Sequence, residues 1–342
     1  MKKFDMKTLL DGIKIFQKDQ WEVCKHYYRG HGKQVPGMLV VAVDPTDASK
    51  SYVRNKERYF KEVGIPFKVL DMGVKNPDVI RAAIGTAAKN EIGWDSMYNL
   101  GTETEPIEVY PTIGGIIVQL PLPNEISGSE SYIIDRIPHS ADQYLDVDGL
   151  CNATLADIMD PKSVDHFTCL PCTPKGVMVI MDRYLHPEKS ISELLLHNYN
   201  WNEMLRGKKV VIVGRGKLVG KPLAVMCINA GATVSICNSS TSVSEVMALT
   251  RDADIVVFAT GQIERFNEDY CSVNKPQLII DCGIGYNNEG KLRGDFKPNE
   301  NFNFDITYTS VPGGVGPMTV SMLCQNFLEN IVDMSHYDIG DE

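Results

Sequence analysis

The sequence runs to 342 residues, 43% hydrophobic and 23% charged, which is enough for two domains of ordinary size and outside the range of a disordered chain. Its 34 basic residues against 44 acidic ones leave a formal net charge of −10. That balance excludes broad binding to a nucleic-acid backbone, which needs clustered Lys and Arg, but not a small anion held locally.

Residues 1–21 mix Lys, Asp and apolar side chains without the apolar core of a secretory signal. The uncharged run 109–124 is short for a membrane span and broken by prolines, so no membrane association is expected. An odd set of nine cysteines scattered through apolar stretches suits a reducing, cytoplasmic setting. Cys169 and Cys172 have CxxC spacing, but no second CxxC or nearby His pair completes a zinc site, and Pro171 and Pro174 crowd the segment. They read as ordinary thiols in a turn before a helix, and no metal is expected.

In chain order the pattern alternates strands and helices, the mark of an α/β fold with parallel sheets. A strand is expected over 38–43, a helix over 49–63 stopped by Gly64, a strand over 66–70, a helix over 77–89 and a strand over 115–120. The polar stretch 90–111 reads as a surface insertion. After Pro174 a second series follows: helix 177–185, strand 208–213, helix 221–230, strand 233–237, helix 243–251, and strands 255–260 and 278–282. A glycine-rich turn, 312–316, precedes a last helix over 318–332.

The β-branched run 210–213 feeds directly into Gly214, Arg215, Gly216, Lys217, Leu218, Val219 and Gly220, and then a helix. Glycines let the backbone approach a pyrophosphate, and the unpaired N–H groups at the helix start attract its charge. The spacing GxGxxxG is one residue longer than the common dinucleotide fingerprint. A carboxylate at the end of the next strand would bind the ribose of NAD; here Asn238, Ser239, Ser240 and Thr241 stand there instead. With Arg215 and Lys217 in the loop and Ser239 as a donor, NADP is favoured, NAD remaining the alternative.

Tyr52 and Lys56, four residues apart on one predicted helix, share a face. Three further segments belong beside them: the apolar strand ending in Gln119, Leu120 and Pro121; the loop Asp146, Val147, Asp148, Gly149; and the stiff turn Val311, Pro312, Gly313, Gly314. Active groups of open α/β sheets sit at such strand ends and turns. Taken singly, each is equally well a strand cap, a turn or a solvated helix face.

Taken in order, "DPTDASKSYVRNK", "GIIVQLPLP", "DVDG", "PCTPKG", "GRGKLVGKP", "ATG" and "VPGGVGPMT" resemble the bifunctional methylenetetrahydrofolate dehydrogenase/cyclohydrolases. The resemblance covers the chain from about Pro36 to Phe327. It implies oxidation of a methylene-bearing tetrahydrofolate by a nicotinamide dinucleotide, then hydrolysis of the methenyl product. It also implies roles: Lys56 orients water and handles protons, Gln119 holds the lysine amine, Tyr52 stacks on the folate, and Asp148 accepts bonds from the pterin. Leu120 and the 311–314 turn would touch the folate, while Arg215, Gly216, Ser239, Thr260, Gly261 and Ile284 would line the dinucleotide. Three positions depart from the family pattern: Gly216 where serine is usual, Asn238 where histidine is usual, and Leu145 where a lysine commonly precedes the aspartate loop.

The architecture expected from this is a catalytic folate domain, 1–170 plus the returning 317–342, and a Rossmann-type domain, 171–316, with both ligands in the cleft between them and a homodimer built through the nucleotide domain. The competing readings are a dehydrogenase without cyclohydrolase activity, a non-catalytic dinucleotide sensor, and a hydroxy-acid or amino-acid dehydrogenase. The complete polar set of Tyr52, Lys56, Gln119 and Asp148 speaks against the first two. The absence of histidine from the motifs speaks against the last.

Overall fold

A computed structural model describes residues 1–89, 112–140, 143–159, 169–195, 201, 203–299 and 301–337. The expected insertion at 90–111 therefore lies outside the described residues. The chain opens with strand β1 (Lys2–Lys3), helix α1 (Met6–Gly30), β2 (Gly37–Val43), α2 (Asp47–Val63), β3 (Phe67–Met72), α3 (Pro77–Ala88) and β4 (Ile113–Val118). Short pieces follow: α4 (Glu130–Ile134), β5 (His139–Ser140), β6 (Gln143–Tyr144) and α5 (Asn152–Asp157). The remainder holds α6 (Cys172–Leu185), α7 (Ile191–Leu195), β7 (Lys209–Val213), α8 (Gly220–Asn229), β8 (Thr233–Cys237), α9 (Val243–Asp252) and β9 (Ile255–Phe258). It closes with β10 (Gln277–Asp281), β11 (Gly285–Tyr286), β12 (Leu292–Arg293), β13 (Ile306–Tyr308) and α10 (Val315–Tyr337).

The chain forms two compact units, Met1–Ile13 with Pro171–Met322, and Lys14–Leu170 with Leu323–Glu342. In the second, a parallel sheet runs β3-β2-β4. All seven residues of the central strand β2 are buried, as a strand covered on both faces requires. Leu39, Val41, Ile84, Ile116 and Ile133 share one apolar cluster. α2 follows β2 because its signals are complete: Thr46 caps the amide of Ser49, and Gly64 ends the helix at φ 100°. Val53, Phe60 and Val63 face inward, leaving Tyr52 on the outer side.

The other unit carries a six-stranded, all-parallel sheet in the order β1-β13-β10-β9-β7-β8. This is the α/β class expected, and β8 has the bounds read from sequence. Two strands stop sooner than expected: β4 lies two residues earlier and ends at Val118 rather than residue 120, and β9 ends at Phe258 rather than 260. In both, the chain leaves the ladder where the site residues begin. α10 starts at Val315, ahead of the expected 318, because Pro317 lies in the first turn, where its missing N–H costs nothing. β1 pairs with β13 through Lys2 and Thr307, a match of two-residue and three-residue strands with no local pattern to announce it.

Cys169 and Cys172 are both buried and outside any disulfide; Cys172 opens α6, and the Cys169 thiol faces the Asn326 carbonyl at 3.8 Å. Among the described residues no helix is long and apolar enough to cross a membrane.

Candidate functional site

In the unit built on β2, the lysine and the amide meet. Lys56 Nζ donates to Gln119 Oε1 at 2.9 Å, across 63 residues of chain. Gln119 Nε2 donates to the Leu120 carbonyl at 2.6 Å, so both ends of the amide are engaged and its orientation is set. The Gln119 backbone N–H still bonds Val41 O at 2.8 Å, one residue beyond the end of β4. The backbone is thus anchored to the sheet while the side chain, only 8% exposed, turns to α2. Tyr52, one helical turn before Lys56, is 40% exposed, an aromatic face open to a ligand. Leu120 is half-buried and packs against the apolar cluster.

The aspartate loop lies beside the same strand: Ile116 N–H donates to Leu145 O at 2.8 Å, and Ile116 bridges Asp146. Its two carboxylates are divided by environment. Asp146 is fully buried and accepts from the Gly149, Leu150 and Cys151 amides (3.1, 3.3 and 2.9 Å) and from Thr154 Oγ1 at 2.9 Å. Burial raises its pKa, and those donors oppose the rise. Asp146 builds the loop. Asp148, two residues on, is partly exposed, and no hydrogen bond engages its carboxylate among the described residues. Leu145, where the family pattern has lysine, is 0% exposed in the apolar cluster.

The loop is also held from α10, which the sequence reading missed. Asn326 Nδ2 donates to Val147 O at 2.9 Å and Leu170 O at 2.8 Å. Asn330 Nδ2 donates to Gly114 O at 2.9 Å and Tyr144 O at 2.7 Å. Both side chains are buried. A signal was present in the sequence: two asparagines one turn apart on an apolar helix face need partners.

In the other unit, β7 runs into the glycine loop as expected. Gly214 has φ 126°, and a Cβ there would lie 2.2 Å from Ala259 O. A Cβ on Gly220, at the start of α8, would lie 2.0 Å from Gly214 O. These two glycines are enforced by backbone against backbone. A Cβ on Gly216 meets nothing within 4 Å, so the usual serine would fit there and its absence removes a hydroxyl without reshaping the loop. Arg215, Lys217 and Leu218 are exposed, and Val219 is half-buried.

After β8, Asn238 Oδ1 accepts from Ser240 N–H at 2.9 Å and Thr241 Oγ1 accepts from Asn238 N–H at 3.0 Å. The Asn238 amide is spent on shaping this turn, and Ser239 is left exposed at its tip. No carboxylate stands in residues 238–241 to repel a 2′-phosphate. After β9, Thr260 Oγ1 is already bonded to Asp295 Oδ2 at 2.8 Å. Ile284 is 42% exposed after β10. The 311–314 turn is tight: Ser310 Oγ donates to Pro312 O at 3.2 Å, Gly313 has φ 98°, and the Val311–Pro312 and Leu120–Pro121 peptides are cis.

At the end of β10, Asp281 is 2% exposed, and burial pushes its carboxyl from 3.8 up to about 7, against the pull of amide donors from Phe296, Asp295 and Gly283. The folded chain therefore keeps a proton that the unfolded chain releases. Stability from this group is complete below pH 3.8 and is lost as pH rises through about 7. The wild type should lose up to about 4 kcal/mol relative to Asp281→Asn across that window. Denaturant unfolding of both proteins at several pH values checks it; parallel pH profiles would refute it.

Residues 187–335 match the model of the tetrahydrofolate dehydrogenase/cyclohydrolase, NAD(P)-binding domain. The bifunctional protein FolD of Pelobacter propionicus is 32% identical over 326 residues, covering 95% of this chain and 98% of its own. The crystal structure of FolD methylenetetrahydrofolate dehydrogenase/cyclohydrolase from Campylobacter jejuni is 29% identical, with TM-score 0.73 over 96% of this chain and 98% of that one. That of a 5,10-methylenetetrahydrofolate dehydrogenase from the silkworm Bombyx mori is 25% identical, with TM-score 0.72 over 98% of this chain and 100% of that one. The chain belongs to the FolD family of bifunctional tetrahydrofolate dehydrogenase/cyclohydrolases.

Proposed function

We propose residue roles for the two reactions of this family, the oxidation of 5,10-methylenetetrahydrofolate with NADP and the hydrolysis of the 5,10-methenyl product to 10-formyltetrahydrofolate. The observation that carries the proposal is the Lys56–Gln119 contact of 2.9 Å, which puts an amine and an amide at the end of one strand. The bound dinucleotide supplies a hydride acceptor, NAD being the alternative to NADP. Its pyrophosphate would be held by the loop Gly214, Arg215, Gly216, Lys217, Leu218 and Val219, and the rest by Ser239, Thr260, Gly261 and Ile284. Exposed Arg215 and Lys217 and the carboxylate-free turn after β8 suit a 2′-phosphate.

The folate is assigned to the unit of β2, β3 and β4 with the returning α10, and the dinucleotide to the six-stranded unit. Tyr52 offers its exposed ring as a stacking face. Asp148, whose carboxylate is not engaged by other described residues, accepts from the pterin amino group and ring N–H and so fixes orientation. Leu120 supplies an apolar contact. The methenyl carbon is electrophilic, so water suffices as nucleophile once it is oriented and deprotonated. Lys56 takes that proton in its neutral form and returns one to the departing ring nitrogen. Gln119 holds the amine in place without adding charge.

Nine cysteines outside any disulfide and net acidity support a cytoplasmic setting. The open edge of β8, where Ile236 is 43% exposed, supports a homodimer formed through the nucleotide unit.

The test is growth of the reduced dinucleotide's near-ultraviolet absorbance on mixing enzyme, methylenetetrahydrofolate and NADP or NAD, followed by decay of the methenyl band. Faster growth with NADP is expected. No growth with either dinucleotide would sink the reading and favour a sensor.

A further inference from the structure

We infer that Asp295 is a positioning residue for the nicotinamide half of the dinucleotide site: one buried carboxylate holds the turn at Thr260–Gly261 against the turn at Gly283–Ile284. The inference rests on the reading that this unit binds a dinucleotide.

Asp295 is 0% exposed. Its Oδ2 accepts three bonds from a single turn: Thr260 N–H at 2.6 Å, Thr260 Oγ1 at 2.8 Å and Gly261 N–H at 3.1 Å. Its Oδ1 is buried and accepts none among the described residues. That second oxygen is packed against the neighbouring turn, since a Cβ built on Gly283 would lie 2.2 Å from it. The carboxylate is therefore wedged between the chain leaving β9 and the chain leaving β10.

The wedge is itself fixed. Asp295 N–H donates to Asp281 Oδ1 at 3.0 Å, and Gly283 N–H donates to the same oxygen at 2.9 Å. Asp295 O accepts from Phe266 N–H at 2.9 Å. A Cβ on Gly294 would lie 2.0 Å from Asp281 Oδ2, so no side chain can intervene. Stacking three donors on one oxygen and leaving its twin without any is a costly way to bury a carboxylate. The arrangement makes sense if its product is the relative placement of two turns.

The sheet order says which half of the ligand those turns receive. β8 lies on one side of β7, and β9 and β10 lie on the other. The glycine loop after β7 takes the pyrophosphate and the end of β8 the adenosine ribose, which leaves the ends of β9 and β10 for the nicotinamide half.

Calorimetric titration of the full chain with NADP and with adenosine 2′,5′-bisphosphate, which carries the adenine half alone, separates positioning from general damage. Asp295→Asn replaces an acceptor with an amide and should weaken NADP about tenfold or more, the loss expected when one or more charge-assisted bonds go. Binding of the bisphosphate should be unchanged. Asp295→Ser, which takes away the carboxylate but keeps a small hydroxyl acceptor, should show the same pattern, and it decides the matter if Asp295→Asn does not fold. Equal weakening of both ligands, or no weakening of NADP in a folded variant, would overturn the inference. Failure of the wild type to bind NADP or NAD would instead overturn the dinucleotide reading.

Discussion

Lys56→Met should lower the rate of methenyl hydrolysis at least about a hundredfold, the usual scale of a lost general acid–base group, while folate still binds. Methionine keeps most of the length and apolar stem of lysine but presents no proton-accepting nitrogen. The loss includes the 2.9 Å bond to Gln119, whose Oε1 would then want a donor in a site where the side chain is 8% exposed. An unpartnered buried oxygen costs about 1–3 kcal/mol, so some loss of thermal stability should accompany the kinetic effect. The two are separable, because stability is read by melting and chemistry by decay of the methenyl absorbance at saturating substrate. Hydrolysis at the wild-type rate would remove Lys56 from the mechanism and leave its contact with Gln119 a structural tie.

Gly214→Ala should damage both the stability and the dinucleotide site of the nucleotide unit. At φ 126° an alanine is strained before any contact is considered, and its Cβ would sit 2.2 Å from Ala259 O. The obstruction is backbone, which cannot rotate aside as a long side chain can. Moving Ala259 disturbs β7 and β9 together, because Ala259 N–H bonds Val213 O at 2.8 Å. Destabilisation on the order of 3 kcal/mol or more is expected, with loss of dinucleotide binding. Unfolding in denaturant and titration with NADP check the two parts. A variant of native stability that binds NADP normally would show that the loop has slack that these distances deny.

The parts of this protein that were legible in the sequence are those whose causes are local. α2 carries its own start and stop in Thr46 and Gly64, and the β-branched run of β7 ends in Gly214, which admits no side chain. The Tyr52–Lys56 pair follows from helical spacing alone. The ends of β4 and β9 fall two residues earlier than the sequence pattern places them, because local composition does not mark where the ladder stops. What could not be read are relations between distant residues. That Thr260 is held by Asp295, 35 positions later, and that Asp146 is structural while Asp148 is presented, are matters of burial. A linear string does not distinguish Asp146, Asp148, Asp281 and Asp295; only the fold tells the three buried ones from Asp148, which is partly exposed.

The asparagines of α10 carry a consequence for biosynthesis. Amides at positions 326 and 330 hold carbonyls at Val147 and Gly114, separated from them by 179 and 216 residues. A nascent polypeptide that has emerged only as far as Asp148 lacks both amides, and with them the brace on the Val147 and Gly114 carbonyls. The whole six-stranded sheet must be synthesised before those amides leave the ribosome. Bracing of the 146–149 loop therefore waits for the C-terminal helix and comes late in synthesis.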